Sequence, residues 1–157
     1  MPDDRRDRVP PEPAIRKMRP QDLDRVVAID ARVFGQRRPD YYRRRLARAL
    51  DETQQLVTSL VIEVEGELAG FVMGQVYLGE FGVPETTGTI DTIGIDPDYQ
   101  GRGVATTLFN EYASHLRRIG VQSITTRVSW NDWRLLRFFE KVGFEPADVI
   151  TLELALQ

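Results

Sequence analysis

The chain has 157 residues, enough for one domain with a real core, and its 41% hydrophobic and 29% charged residues are an ordinary soluble composition. A net charge of −3 gives no support to nucleic-acid binding. The lack of cysteine excludes disulfides, a thiol nucleophile and thiolate metal sites, and a single histidine, His115, argues against a histidine-rich metal site or a Ser-His-Asp triad.

No apolar run reaches the roughly 18 residues of a membrane span. The first thirteen residues, MPDDRRDRVPPEP, have no apolar stretch of the kind a secretory signal needs. The expectation is a cytoplasmic protein with no metal, no nucleic-acid partner and no membrane partner. Residues 1–13 are charged and proline-rich, which predicts a flexible tail. Residues 14–157 then form a single domain.

Ala14 to Met18 is a short strand candidate. A helix follows, capped by Asp22 or the turn around it, with Leu23, Val26, Val27, Ile29 and Val33 on its buried side and Gly35 as its breaker. Tyr41 to Leu50 is a second helix, with Tyr41, Leu46 and Leu50 on one side. Arg43, Arg44, Arg45 and Arg48 make either an electropositive wall or, as charge runs commonly do, a solvated face. Leu56–Val64 and Leu68–Leu78 read as an antiparallel hairpin around Glu65-Gly66. A loop with Gly82 and Pro84 leads on.

The stretch from Thr89 to Ile119 organises the rest. Ile90, Thr92, Ile93 and Ile95 suit a buried strand. Asp96-Pro97-Asp98 stops it, since proline cannot donate to a ladder. Gln100-Gly101-Arg102-Gly103-Val104-Ala105 opens a helix whose apolar face is Val104, Leu108, Tyr112, Leu116 and Ile119, ended by Gly120. A glycine loop running into a helix N-terminus is an anion site, because the first amide groups lack internal partners and sit at the positive end of the dipole. The plain alternative is a tight turn. A Walker A loop would need Gly-Lys-Ser/Thr, which is absent. A dinucleotide fingerprint would need a third small residue where Thr106 stands and an acid where Gln122-Ser123 stands.

Ser123 to Val128 is the next strand, and the strand–helix–strand order predicts a parallel pair. Asn131 starts a helix with Leu135, Leu136, Phe139 and Val142 on its apolar face, and Gly143 ends it. Val149 to Leu156 alternates and is expected to finish the sheet. The elements sum to an α+β fold with a mixed, mostly antiparallel sheet of six or seven strands and about four flanking helices.

The loop from Gln100 to Ala105 resembles the Q/R-x-x-G-x-G/A loop of the GNAT N-acetyltransferase superfamily, and Ile95-Asp96-Pro97 resembles that family's strand end. Asn131 with Phe139-Glu140-Lys141-Val142-Gly143-Phe144 resembles its N-x-x-A-x-x-x-Y-E-K-x-G-F segment. The resemblance runs from about residue 14 to 155 and implies the same α+β fold. It implies acetyl transfer from acetyl-CoA to a primary amine of a small molecule or a protein. Homodimers are common in the family. It also implies that Gln100, Gly101, Arg102, Gly103, Val104 and Ala105 hold the pyrophosphate. Ile93, Gly94 and Ile95 would lie along the pantetheine arm where the strands splay, with Gly94 offering no side chain to obstruct it. Asn131 would contact the cosubstrate, or serve as a helix N-cap, and Phe139 stands at a further cosubstrate-side position. The first two helices would lie over the acceptor, which makes Phe34, Tyr41 and Tyr42 acceptor-pocket candidates or core residues.

The chemistry needs a base, since an amine with a pKa near 10 is protonated at neutral pH. It also needs a donor for the oxyanion and help for the leaving thiolate. A chain without cysteine fits direct transfer in a ternary complex. Asp91 stands where many family members carry a glutamate. Apolar neighbours there would raise its pKa and make it a base, while the alternative is a structural carboxylate. Glu80 is a second candidate. The family's tyrosine acid falls on Phe139, which has no hydroxyl; Ser129 and Tyr112 are the available substitutes. That departure keeps open a non-catalytic acetyl-CoA-binding sensor or regulatory module.

Overall fold

The computed structural model describes residues 12–50, 57–79 and 85–157. The tail up to residue 11, Leu56, Glu80 and the loop with Gly82 and Pro84 lie outside them, as does the side chain of Leu50. The described residues fall into two compact units, one ending at Arg127 and the other starting at Val128.

The first unit is built on a hairpin. Strands β2 (Val57–Val64) and β3 (Glu67–Leu78) pair antiparallel through Glu65-Gly66, both at positive φ (54° and 82°). That is the backbone a two-residue turn needs to match strand twist. Strand β1 (Ala14–Lys17) adds antiparallel to β2. Beyond β3 lie β4 (Thr86–Ile90) and β5 (Thr92–Ile95), both antiparallel to it. Strand β6 (Ser123–Thr126) runs parallel to β4, as the strand–helix–strand order predicts, but ends two residues early.

Helix α1 (Leu23–Phe34) buries Val26, Val27 and Ile29 and ends on Gly35 in the left-handed conformation. Asp22 does not cap it through its side chain. That carboxylate is held instead by the Arg16 guanidinium at 2.8 Å and by the Arg19 amide at 2.7 Å. Helix α2 (Pro39–Leu50) starts two residues earlier than expected. Its anchor is Tyr42, fully buried against Phe71, with its hydroxyl on Asp30 at 2.7 Å. Helix α3 (Val104–Arg118) buries Val104, Leu108, Tyr112 and Leu116 as its spacing predicts, while Ile119, expected on the same face, is the C-cap and 43% exposed.

In the second unit, α4 (Trp133–Lys141) is capped by Asp132, whose Oδ1 accepts from the Leu135 amide at 3.1 Å. Asn131 is therefore not the N-cap. Val149–Leu156, expected as a strand, has no regular structure, and Ile150, Leu152, Leu154 and Leu156 are all more than 80% exposed. Alternation supplies a face, but a strand also needs a ladder partner.

Candidate active site

The expected single strand from Thr89 to Ile95 is broken at Asp91. Register shows why. β5 pairs with β3 up to Met73↔Thr92, and β4 pairs from Val76↔Gly88. Between those pairs β3 has two residues, Gly74 and Gln75, while the facing chain has three, Thr89, Ile90 and Asp91. The extra residue is a β-bulge, a device that re-aims a side chain. Gly74 makes room for it. A Cβ at that position would strike the Thr89 carbonyl and the Tyr112 hydroxyl. Tyr112, from α3, donates to that same carbonyl at 2.6 Å and shares a hydrogen bond with Thr58 at 2.9 Å.

The bulge turns Asp91 out of the pleat. Its backbone N–H donates to the Met73 carbonyl at 2.8 Å. The apolar neighbours expected from strand alternation are replaced by polar ones. Arg45 of α2 forms an ion pair with its carboxylate. Thr89 Oγ1 donates to Oδ1 at 3.0 Å, and Gln75 Nε2 donates to Oδ2 at 3.3 Å. Burial and apolar contact are thus not what conditions this group; a guanidinium and two donors favour its ionised form. Its side chain is 24% exposed, so one face stays open.

The acceptor candidates separate. Tyr41 Oη lies 3.3 Å from Thr92 Oγ1, one residue past Asp91. Tyr42 is 1% exposed, and burial pushes its phenol well above the ordinary value, so it is core and not pocket. Phe34 is 53% exposed, with the Arg38 guanidinium 4.5 Å from its ring centre. The arginine wall largely dissolves: Arg43 pairs with Asp40, Arg44 Nε bonds the Asp40 carbonyl, and Arg45 turns inward to Asp91.

β4 and β6 stay paired to Ile90↔Thr126, where Thr126 Oγ1 also donates to the Ile90 carbonyl at 2.9 Å. β5 does not follow, and among the described residues it pairs with β3 alone. The backbone of Ile93, Gly94 and Ile95 therefore has a second edge without a strand. Gly94 has a reason apart from any ligand: a Cβ there would lie 2.8 Å from the Phe71 ring. Gln100 Nε2 folds back to the Ile95 carbonyl at 3.0 Å.

The turn after β5 is held by charge. Asp96 is 1% exposed and accepts from Arg25 (2.6 Å), Arg32 (2.5 Å) and the Asp98 amide (2.9 Å). Arg32 also pairs with Asp98, holding that exposed carboxyl below the usual range. Gly101 and Gly103 follow at φ 77° and 75°, with nothing within 4 Å of either Cβ position. Gly103 is the N-cap of the fifteen-residue α3. Backbone amides at a helix start, beside open space, fit a pyrophosphate. Arg102 stands at the rim, its guanidinium 5.5 Å from the Tyr99 ring centre. Val104 is buried, so its part in the loop is through its backbone.

Tyr112 is unsuited to act as a thiolate acid. It is fully buried, its proton is committed to Thr89, and burial pushes its phenol up to about 12. In the second unit, Phe139 is 4% exposed, packed against Phe144 at 4.9 Å and Phe138 at 5.4 Å, and Asn131 is exposed. The Ser129 carbonyl accepts from the Asp132 amide, a turn that sets up α4. Sequence reasoning missed Gln75, Thr89 and Tyr77, and it placed Arg45 only within the arginine run, not beside Asp91. The available signal was Gly74 inside an apolar strand, which marks a bulge or a close backbone approach.

Comparison with known proteins agrees with this geometry. The chain is 30% identical over 132 residues to a mycothiol acetyltransferase of Propionibacterium freudenreichii subsp. shermanii, covering 80% of this chain and 41% of that protein. It thus spans about two fifths of that curated relative. An aminoglycoside N-acetyltransferase solved in complex with CoA superposes with a TM-score of 0.76 at 15% identity, over 92% of this chain and 95% of that one. A ribosomal-protein-alanine N-acetyltransferase from Brucella melitensis superposes at 0.71 with 20% identity, over 92% and 100%. At those identities the structures show the shared fold. The model of the acetyltransferase (GNAT) family matches residues 23–144, a span that takes in the bulge, the charged turn and the open glycine loop. The chain belongs to the GNAT acetyltransferase family.

Proposed function

We propose that this chain moves an acetyl group from acetyl-CoA to a primary amine by direct transfer in a ternary complex. The observation that carries the reading is the free edge of β5 running into an open glycine loop at the start of α3. The backbone of Ile93, Gly94 and Ile95 lies along the pantetheine arm, and Gly101 to Ala105 hold the pyrophosphate, with Arg102 adding charge. Gln100 acts through the Ile95 carbonyl, keeping the strand end and loop in register. The family resemblance assigns Asn131 and Phe139 to the cosubstrate as well.

Asp91 takes the amine proton, directly or through a water, as the nitrogen attacks the thioester carbonyl. Tyr41 and Phe34 line the acceptor side. Glu80, outside the described residues, is the second candidate base. With no phenol at position 139, water protonates the departing thiolate. Phe139→Tyr is therefore expected to leave acetyl-CoA binding intact and not to be needed for turnover. The protein is expected in the cytoplasm.

Isothermal titration tests the cosubstrate first. Acetyl-CoA and CoA should bind and ATP should not. Binding of no CoA species would end the reading. An amine panel scored by thiol release follows, including sisomicin and a peptide with an N-terminal alanine, since structures of similar fold include an aminoglycoside acetyltransferase with sisomicin and a ribosomal-protein-alanine acetyltransferase. Asp91→Asn should lower kcat more than about tenfold and flatten the acid limb of the pH–rate profile.

A further inference from the structure

Helix α2 reaches the bulge with Arg45. Its N-terminal end is tied to α1, where Asp30 accepts from Tyr42 and from two nitrogens of Arg38 at 2.7–2.9 Å. Arg43, Arg44 and Arg48 face outward. Arg45 does not: its side chain is 15% exposed, against 65% for Arg43, and it closes on Asp91. A guanidinium this far from water needs a carboxylate, and a carboxylate at a strand break needs something to fix its direction.

The other two sides of Asp91 are fixed by the sheet. Tyr77 Oη donates to Gln75 Oε1 at 3.1 Å, which forces the Gln75 amide to present its NH₂ group to Asp91. Thr89 Oγ1 accepts from the Gln75 backbone N–H at 3.1 Å, so its own hydrogen points to Asp91. Among the described residues, the groups facing Asp91 are thus Arg45 and, beside it, Tyr41 from α2, Gln75 backed by Tyr77 from β3, and Thr89 from β4, with Thr92 at the start of β5. The cation among them is Arg45.

We propose that Arg45 is a positioning residue for acetyl transfer, holding the Asp91 carboxylate ionised and aimed while its exposed face takes the amine proton. The inference rests on Asp91 as the base. Arg45 touches no reacting atom. Its effect is to set the pH at which Asp91 becomes a base and the direction from which it acts. Removing a neighbouring cation raises a carboxyl pKa, so the base form appears only at higher pH and the acid limb of kcat/KM moves up.

The test pairs a substrate-free readout with a kinetic one. Carbon-detected NMR of the full chain follows the Asp91 carboxyl through a pH titration, assigned by its loss in Asp91→Asn. Kinetics use acetyl-CoA with the best amine of the panel. In Arg45→Met, both the carboxyl midpoint and the acid limb should move up by about one pH unit or more, with KM for acetyl-CoA unchanged; Arg45→Lys, which keeps a cation there, should show little of that shift. An unmoved midpoint in a folded Arg45→Met, even with a lowered Tm, makes Arg45 merely structural and overturns the inference while leaving Asp91 as base. A moved midpoint with an unmoved limb overturns both, because Asp91 is then not the group that limits the rate. Should Arg45→Met fail to fold, Tyr77→Phe removes only the hydroxyl that orients Gln75. It should lower kcat about threefold with KM for acetyl-CoA unchanged, and a wild-type kcat would overturn the frame.

Discussion

Two aspartates stand five residues apart, each just past the end of a strand and each met by arginine from an outer helix. Asp96 follows β5 and takes Arg25 and Arg32 from α1; Asp91 follows β4 and takes Arg45 from α2. The difference lies in what is left over. Asp96 is 1% exposed, and its oxygens take two guanidiniums and a backbone amide. Asp91 keeps 24% of its side chain in the open. A saturated carboxylate fixes a turn. One held on three sides and free on the fourth can exchange a proton with something that arrives there. The same residue type and the same kind of partner thus close a turn at one strand end and leave an open carboxylate for the proposed chemistry at the other.

The sharpest break of this comparison is at Asp96. Asp96→Ala leaves two guanidiniums and the Asp98 amide without their acceptor. Both arginines are more than a third exposed and can turn to water, which limits the cost to about 3 kcal/mol. Because the turn carries the glycine loop, acetyl-CoA affinity should fall with it; urea unfolding and calorimetry read the two losses. Gly74→Ala attacks the other strand end through packing, since backbone at Thr89 cannot yield as a flexible side chain could. The expected loss is about 2–3 kcal/mol, together with a weaker response to Asp91→Asn, because the bulge that aims Asp91 would be disturbed.

Much of the fold was legible because it rests on local pattern. Glu65-Gly66, the 3.6-residue face of α3, and Asp96-Pro97 each state their own structure within a few residues. The glycine loop was legible for the same reason. The surroundings of Asp91 were not. Strand alternation put it beside Ile93 and Ile95, but the bulge depends on register against β3, a fact spread over Gly74, Gln75 and Asp91. Arg45 was hidden inside a charge run whose four members look alike until α2 is docked. Tyr41 and Tyr42 differ only in which of two neighbouring helix positions faces Phe71. Val149–Leu156 shows the limit from the other side, since its alternation is evident and yet no ladder forms.

Asp22 is a third aspartate held by arginine, and it sharpens the comparison because it has no part in the proposed chemistry. Arg16 bonds both of its oxygens and holds its carboxyl below the usual range. A depressed folded-state pKa contributes stability above the unfolded value, lost as pH falls through the folded one. Asp22→Asn should therefore cost about 1–2 kcal/mol at neutral pH and almost nothing in strong acid, read as converging urea midpoints, with kcat unchanged throughout. A constant gap across pH would mean that packing, not charge, holds this corner.

The smallest expected effect on stability is at Asp91. Its carboxylate is partly in water, an asparagine there still offers Arg45 a carbonyl oxygen, and partly exposed ion pairs contribute little. Asp91→Asn should shift the unfolding free energy by less than about 1 kcal/mol, although the same change should remove most of the activity. That inversion, large in rate and small in stability, is what separates the open carboxylate from the saturated one. A loss at Asp91 matching that of Asp96→Ala would place both aspartates in the same structural role and return the search for the base to Glu80.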